Sequence, residues 1–246
     1  MTSPSLDSSG PDSRQSTRPL ITPSAPYTSF YCEENVYLLV KALSTHQEVR
    51  AVWACFVSNL NRTAILFNQK ASRRGEEQGS YVIWDYHVFA VAALRTEEGE
   101  RTVSIDRDSN LGPVVELENY IEQTFHPLLF REQILDPELE SRVRIVPGDD
   151  FLRNFASDRS HMLVANNLSR QHEATATLTT PLYVHPPPSY PPIRGLGAVA
   201  MGEGHNLWTK FLDMRLEHEK EESTRESGFG SVLASVESLL EYNFRN

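Results

Sequence analysis

Three side chains in the first half of the chain could together do thiol chemistry: Cys32, His87 and an acid at Asp106 or Asp108. A cysteine attacks only as thiolate, and a helix N-terminus lowers its pKa by placing partial positive charge beside the sulfur. Cys32 stands at such a start. Val36, Leu39, Val40 and Leu43 recur at i, i+3, i+4 and i+7, and Glu33 and Glu34 fill the first turn, where carboxylates suit the helix dipole. The same two acids oppose a thiolate, so the sulfur needs a cationic partner. Without one, Cys32 reads as an ordinary buried cysteine.

His87 is the candidate partner. Tyr81–Arg95 reads as one long strand, with Ile83, Asp85, His87, Phe89 and Val91 on one face. A lone histidine among apolar residues is more often a hydrogen-bonded core residue than a catalyst, so its neighbour across the hairpin decides. A turn at Glu97–Glu100 and a returning strand Arg101–Asp108 bring position 87 opposite 107–109, with Asp106 and Asp108 both in range. Either acid could orient the imidazole and stabilise its protonated form. Asp85 is a rival, although i and i+2 side chains on one strand stand about 7 Å apart.

The elements that must position these groups suggest an α+β fold. Val49–Ser58 is nearly all apolar and reads as a strand buried on both faces; Ala64–Gln69 and Arg142–Val146 are further strands. Arg73–Ser80 reads as a loop. Helices are predicted near 115–130, with Leu117, Tyr120, Ile121 and Phe125 on one face, and briefly after an N-cap at Asp149–Asp150. Residues 1–26 hold seven Ser, five Pro and no aromatic residue before position 27, the composition of a disordered tail. Residues 163–195 are polar and then proline-rich, hence extended, and Glu217–Glu226 is a charge run. Gly228–Phe244 returns to apolar periodicity and should dock on the core. Cys55, inside VWACFV, reads as core filler.

Composition narrows the function. The 246 residues carry 23 Lys+Arg and 33 Asp+Glu, a net charge of −10, against the basic footprint of a nucleic-acid binder. The longest apolar runs, Ala51–Val57 and Val88–Leu94, are far short of the roughly 20 residues that span a bilayer. No secretory signal is recognisable at the N-terminus. Two cysteines exclude a disulfide scaffold or a four-cysteine zinc site and suit a reducing compartment, the cytosol or nucleus. No paired-histidine motif suggests a metal, and no glycine-rich phosphate loop is present.

The order Cys, His, acid is that of papain-like and transglutaminase-like thiol enzymes. More specifically, Tyr31–Asn35 (YCEEN), Val82–Val88 (VIWDYHV) and Asn154–Met162 (NFASDRSHM) resemble the protein N-terminal glutamine amidohydrolase family. Weaker matches at Pro186–Ile193 and Gly228–Phe244 carry the resemblance over residues 27–246, read as a single catalytic domain. It implies a papain/transglutaminase-like fold, a central antiparallel sheet flanked by helices, and a triad of Cys32, His87 and Asp106, the first acid of the IDRD stretch. It also implies removal of ammonia from an N-terminal glutamine side chain, without cofactor, in the N-degron pathway that leads through arginylation to degradation. The chain departs from the family in its long tail and in polar insertions near 163–180 and 213–227.

Such a reaction must recognise a free ammonium, for which Glu33, Glu34 and Asp85 are the acids beside the triad. Partners would be proteins or peptides with N-terminal glutamine, and a monomer is expected. In the NFASDRSHM block, Asp158 and Arg159 read as an ion pair and His161 as a turn cap, with a pocket wall as the alternative. The proline stretch reads as an intramolecular strap. Rival functions are a cysteine peptidase or transglutaminase on the same triad, or an interaction module in which the triad is incidental.

Overall fold

In the computed structural model, which describes residues 24–72, 80–164, 182–220 and 228–244, a six-stranded antiparallel sheet forms the centre. In chain order the elements are α1 (Cys32–Leu43), β1 (Val49–Ser58), β2 (Ala64–Phe67), β3 (Tyr81–Trp84), β4 (His87–Thr96), β5 (Gly99–Ile105), β6 (Val115–Glu116), α2 (Leu117–Phe125), α3 (Pro127–Arg131), β7 (Arg142–Pro147), α4 (Gly148–Asn154), α5 (Leu196–Ala200) and β8 (Ser231–Leu233). The large sheet runs β6-β5-β4-β1-β7-β8, and β2 and β3 make a separate two-stranded sheet. The α+β expectation holds, with helices on both faces of the sheet.

The doubly apolar character of β1 explains its place beside β4 at the sheet centre, since both its faces are buried. Val52, Ala54 and Phe56 face a core built with α1, α4 and the 207–216 segment. Trp53, Cys55 and Val57 face a second core with α2, the β2-β3 sheet and the C-terminal residues Val236, Leu239 and Phe244. Gly228–Phe244 thus docks on both faces, as its periodicity predicts. Gly230 permits this docking. It has φ +68, and a Cβ there would lie 2.0 Å from the carbonyl oxygen of Ile145.

Five predicted elements need correction, the first being the returning strand Arg101–Asp108, which runs Gly99–Ile105 and leaves Asp106 and Asp108 beyond its end. The single strand over Tyr81–Arg95 is two strands: β3 pairs with β2, whereas β4 pairs with β1 and β5. The break falls at Asp85–Tyr86, where the Ser58 hydroxyl takes the Asp85 carbonyl as acceptor at 2.6 Å. The strand from Ala64 stops at Phe67, because Asn68 turns into the left-handed region with φ 56. The helical stretch near 115–130 is split by His126, also left-handed, and α3 restarts on Pro127, which has no N–H to leave unsatisfied. Finally, α4 begins at Gly148, so Asp149 and Asp150 occupy its first turn and do not cap it.

The predicted tail lies largely outside the described residues, as do most of the loop Arg73–Ser80, most of the insertion near 163–180 and residues 221–227 of the second insertion. From Ala25 onward the chain is tied down: Arg107 donates to the carbonyls of Ala25 and Pro26 at 2.6 and 2.9 Å. The proline stretch is a strap, as expected, with the carbonyls of His185, Pro188 and Tyr190 accepting from Tyr31 and Arg159. No described helix is long and apolar enough to cross a membrane.

Candidate active site

The α1 periodicity places Cys32 as the first residue of the helix, with its apolar stripe on β1 and β4. β4 begins at His87, so the histidine stands at the strand end nearest that helix start. The β4-β5 hairpin pairs Thr96 with Gly99 and Ala90 with Ile105. Asp106, one residue beyond β5, therefore reaches across to His87, whose Nε2 lies 3.1 Å from Asp106 Oδ2.

Asp106 is buried and fully engaged. Tyr120 on α2 donates to Oδ2 at 2.8 Å, and the Asp108 amide donates to Oδ1 at 3.0 Å. Burial alone would raise its pKa, but the His87 charge and these hydrogen bonds hold it below the ordinary 3.8. His87 responds in the opposite sense. Burial pulls its pKa down, and the Asp106 charge and hydrogen bond outweigh that pull, leaving it above 6.5. A carboxylate can only accept, so the proton in this contact sits on Nε2. His87 Nδ1 is buried and has no hydrogen-bond partner among the described residues.

Cys32 is partly buried in a cavity of about 590 Å³ whose walls include Tyr27, Phe30, Trp84, Tyr86, His161 and Trp208. Burial raises its thiol well above the usual range, and Glu33 and Asp108 raise it further, against a backbone hydrogen bond from Val88. The helix start does not by itself activate the sulfur.

The acids of the first turn of α1 are not the exposed pair that their positions suggest. Glu34 is buried, and both its oxygens accept from Arg159, Nε and Nη2 each at 2.8 Å. Glu33 is also fully buried. Its Oε2 lies 3.7 Å from Cys32 Sγ and accepts from the Tyr86 hydroxyl at 3.0 Å, while His161 Nε2 stands 3.3 Å from Oε1. Asp85 is exposed on the cavity wall, and Asp108 lines the cavity while accepting from the Tyr27 hydroxyl.

The NFASDRSHM block is therefore a cavity wall and a brace. Arg159 pairs with Glu34 and not with Asp158, whose partner is His205 at 3.1 Å; His161 reaches Glu33 and does not cap a turn. The sequence reading missed Tyr86, Tyr120 and Tyr27 as partners of the site's acids. Only Tyr86 and Tyr27 carried a signal, one next to His87 and the other at the edge of the tail. Cys55 is fully buried, as expected. No group of three metal-ligating side chains occurs among the described residues.

Comparison with known proteins places the chain in a family. The N-terminal glutamine amidase family matches residues 27–242. Proteins named protein N-terminal glutamine amidohydrolase from Drosophila ananassae, Drosophila pseudoobscura pseudoobscura and Drosophila virilis are each 37% identical over 169 residues, 68% of this chain and 71% of theirs. The chain belongs to the N-terminal glutamine amidase family of hydrolases.

Proposed function

We propose that this protein hydrolyses the side-chain amide of an N-terminal glutamine, giving N-terminal glutamate and ammonia, through a thioester on Cys32. The carrying observation is His87, fixed to Asp106 at Nε2 and left with a buried Nδ1 that has no partner among the described residues, next in the chain to Val88, whose backbone hydrogen-bonds Cys32. Cys32 thiolate, paired with protonated His87, attacks the δ-carboxamide carbon, and the developing oxyanion meets backbone N–H groups at the start of α1. His87 passes its proton to the amide nitrogen, and ammonia leaves. Water then gives a proton to His87 and its hydroxide to the thioester carbon, which frees the glutamate side chain and restores the sulfur. Asp106 holds the imidazole throughout, in a papain/transglutaminase-like arrangement that needs no cofactor.

For the substrate ammonium, Asp85 is the acid of the three that both lines the cavity and is exposed. Glu33 acts from behind the sulfur, and Glu34 serves as a brace. Selection of glutamine over asparagine rests on one methylene, worth about 1–3 kcal/mol in a pocket. Strict selectivity then follows from anchoring the amine at a fixed reach from Cys32. In the cell this activity would act in the cytosol and nucleus, upstream of arginylation and degradation.

The test is mass spectrometry of a glutamine-initiated peptide, beside its asparagine-initiated and N-acetylated versions and a Cys32→Ala control. A gain of about one mass unit with ammonia release, only for free N-terminal glutamine and only with Cys32, is the expected result. Chain cleavage would assign the same triad to a peptidase, and amine incorporation would assign it to a transglutaminase.

A further inference from the structure

Cys32 is surrounded by carboxylates. Glu33 Oε2 is 3.7 Å away on its own helix, and Asp106 and Asp108 approach from the end of β5. Asp85 stands on the wall between β3 and β4. Glu33 is fully buried and held on both oxygens, by the Tyr86 hydroxyl and by His161, so it cannot turn away from the sulfur. Its carboxyl stays ionised: burial would raise its pKa, but the His161 and Tyr86 hydrogen bonds bring it below the ordinary value. At 3.7 Å the thiol proton has a carboxylate acceptor, and the protonated sulfur is the favoured form beside that charge. Further titratable groups around this cluster are His205, whose ring is tilted against His161, Tyr27, Lys70 and His185 on the cavity wall, Glu34 with its partner Arg159, and His87 on Asp106.

We propose that Glu33 is a positioning residue that keeps Cys32 as a thiol until a cation enters the cavity, so that the substrate's own α-ammonium switches the nucleophile on. The inference rests on the amidase reading and deepens it. The ammonium of an N-terminal glutamine lies four bonds from the carboxamide carbon, within about 5 Å of it. With the sulfur poised about 3 Å from that carbon, the ammonium lies about 6 Å from the sulfur, and a unit charge there favours the thiolate by about two pH units at an effective dielectric of 20. When the ammonium arrives, the thiol proton leaves to solvent, and the thiolate remains beside protonated His87. The requirement for a free amino terminus is then a requirement of the chemistry as well as of binding. An acetylated peptide could occupy the cavity and still find an inert sulfur.

The experiment is alkylation of Cys32 across pH by two small reagents, neutral iodoacetamide and cationic 2-bromoethylammonium, each forming a C–S bond with loss of halide. Cys32→Ala gives the Cys55 background, and ammonia release from a glutamine-initiated peptide is measured on the same preparations. In the wild type the iodoacetamide midpoint should lie above the about 8.5 of a free thiol. The cationic reagent should be favoured by at least about tenfold over its rate ratio on free cysteine. Glu33→Gln should lower the midpoint by about one pH unit and abolish the preference. Tyr86→Phe should move the midpoint the other way, because Glu33 loses a donor and binds the thiol proton more strongly. A wild-type midpoint at or below that of a free thiol, or no preference for the cationic reagent, overturns the proposal. These two wild-type readings decide the matter even where Glu33→Gln fails to fold. Absence of ammonia release with the alkylation pattern intact would instead remove the amidase reading.

Discussion

Arg159 grips Glu34 through two nitrogens, each 2.8 Å from a carboxylate oxygen, and so ties the first turn of α1 to the segment that follows α4. The same guanidinium donates to the carbonyls of Pro188 and Tyr190 and lies over the Tyr190 ring. One buried side chain thus fixes both the helix that carries Cys32 and the proline strap across it. A planar five-donor fork can do this, and a lysine ammonium cannot.

Arg159→Lys should therefore lose the bidentate pair and at least one strap contact, and Glu34→Gln should leave the guanidinium buried without its counter-charge. Breaking a buried pair from one side costs about 3–5 kcal/mol. Both variants should show a clearly lower urea midpoint. An unchanged midpoint in either would mean that water or a shifted side chain replaces the pair at little cost.

The Asp106–His87 contact predicts a pH-dependent stability with a definite sign. Asp106 is held below its ordinary 3.8, so its contribution is present above 3.8 and is lost as pH falls through the lowered folded value. His87 is raised above 6.5, so its contribution is complete below 6.5 and is lost as pH rises through the raised value. The wild type should exceed Asp106→Asn in stability most between about pH 4 and 6.5, with the gap narrowing on both sides. Urea midpoints measured across that range check this directly.

Kinetics should separate the two partners of that carboxylate. Asp106→Asn should lower kcat by about three to four orders of magnitude, through loss of the imidazole's orientation and charge partner. Tyr120→Phe removes one hydrogen bond to a carboxylate, worth about 1.5–3 kcal/mol, and should lower kcat by about ten- to a hundredfold with KM little changed. Equal losses in the two would show that Tyr120 acts by more than steadying Asp106.

Much of this architecture was legible because it is periodic. The helical spacing from Val36 to Leu43 located α1 and put Cys32 at its start, and the turn at 97–98 placed position 87 opposite 107–109. A break such as Asp85–Tyr86 has no periodic signature, since the flanking residues keep alternating while the strand changes sheets. The acids misled for a different reason. Glu33 and Glu34 suit a solvent-exposed helix start, and only partners more than 50 residues away, Tyr86, Arg159 and His161, make their burial tolerable. Long-range pairing of charged groups is invisible to spacing rules, so Arg159 was paired in sequence with its neighbour Asp158.

Thiol counting gives another prediction. Cys55 is fully buried on β1, and burial pushes its pKa far above the ordinary value, so it should be inert in the native state. At alkaline pH, where the cavity-lining Cys32 ionises while Cys55 stays out of reach in the sheet, a small neutral disulfide reagent should label one thiol in the folded protein and two in concentrated urea. Cys55→Ala should keep kcat, whereas Cys32→Ala should abolish activity. Two thiols labelled in the native protein would mean that the sheet centre opens readily.

The last prediction concerns the N-terminal segment. Tyr27, Ser29 and Phe30 line the cavity; Tyr27 donates to Asp108, its ring lies 4.8 Å from the Arg107 guanidinium, and Phe30 stacks on His185 with centroids 3.6 Å apart. These contacts begin at Ala25, where Arg107 starts to hold the chain. Deleting residues 1–23 should therefore change kcat/KM by less than about twofold. Deleting residues 1–30 should remove one wall and free Asp108, lowering kcat/KM by at least about tenfold, with the loss concentrated in KM. If the shorter deletion already gives the larger loss, residues before Ser24 take part in substrate capture, and the cavity wall extends further toward the N-terminus than Tyr27.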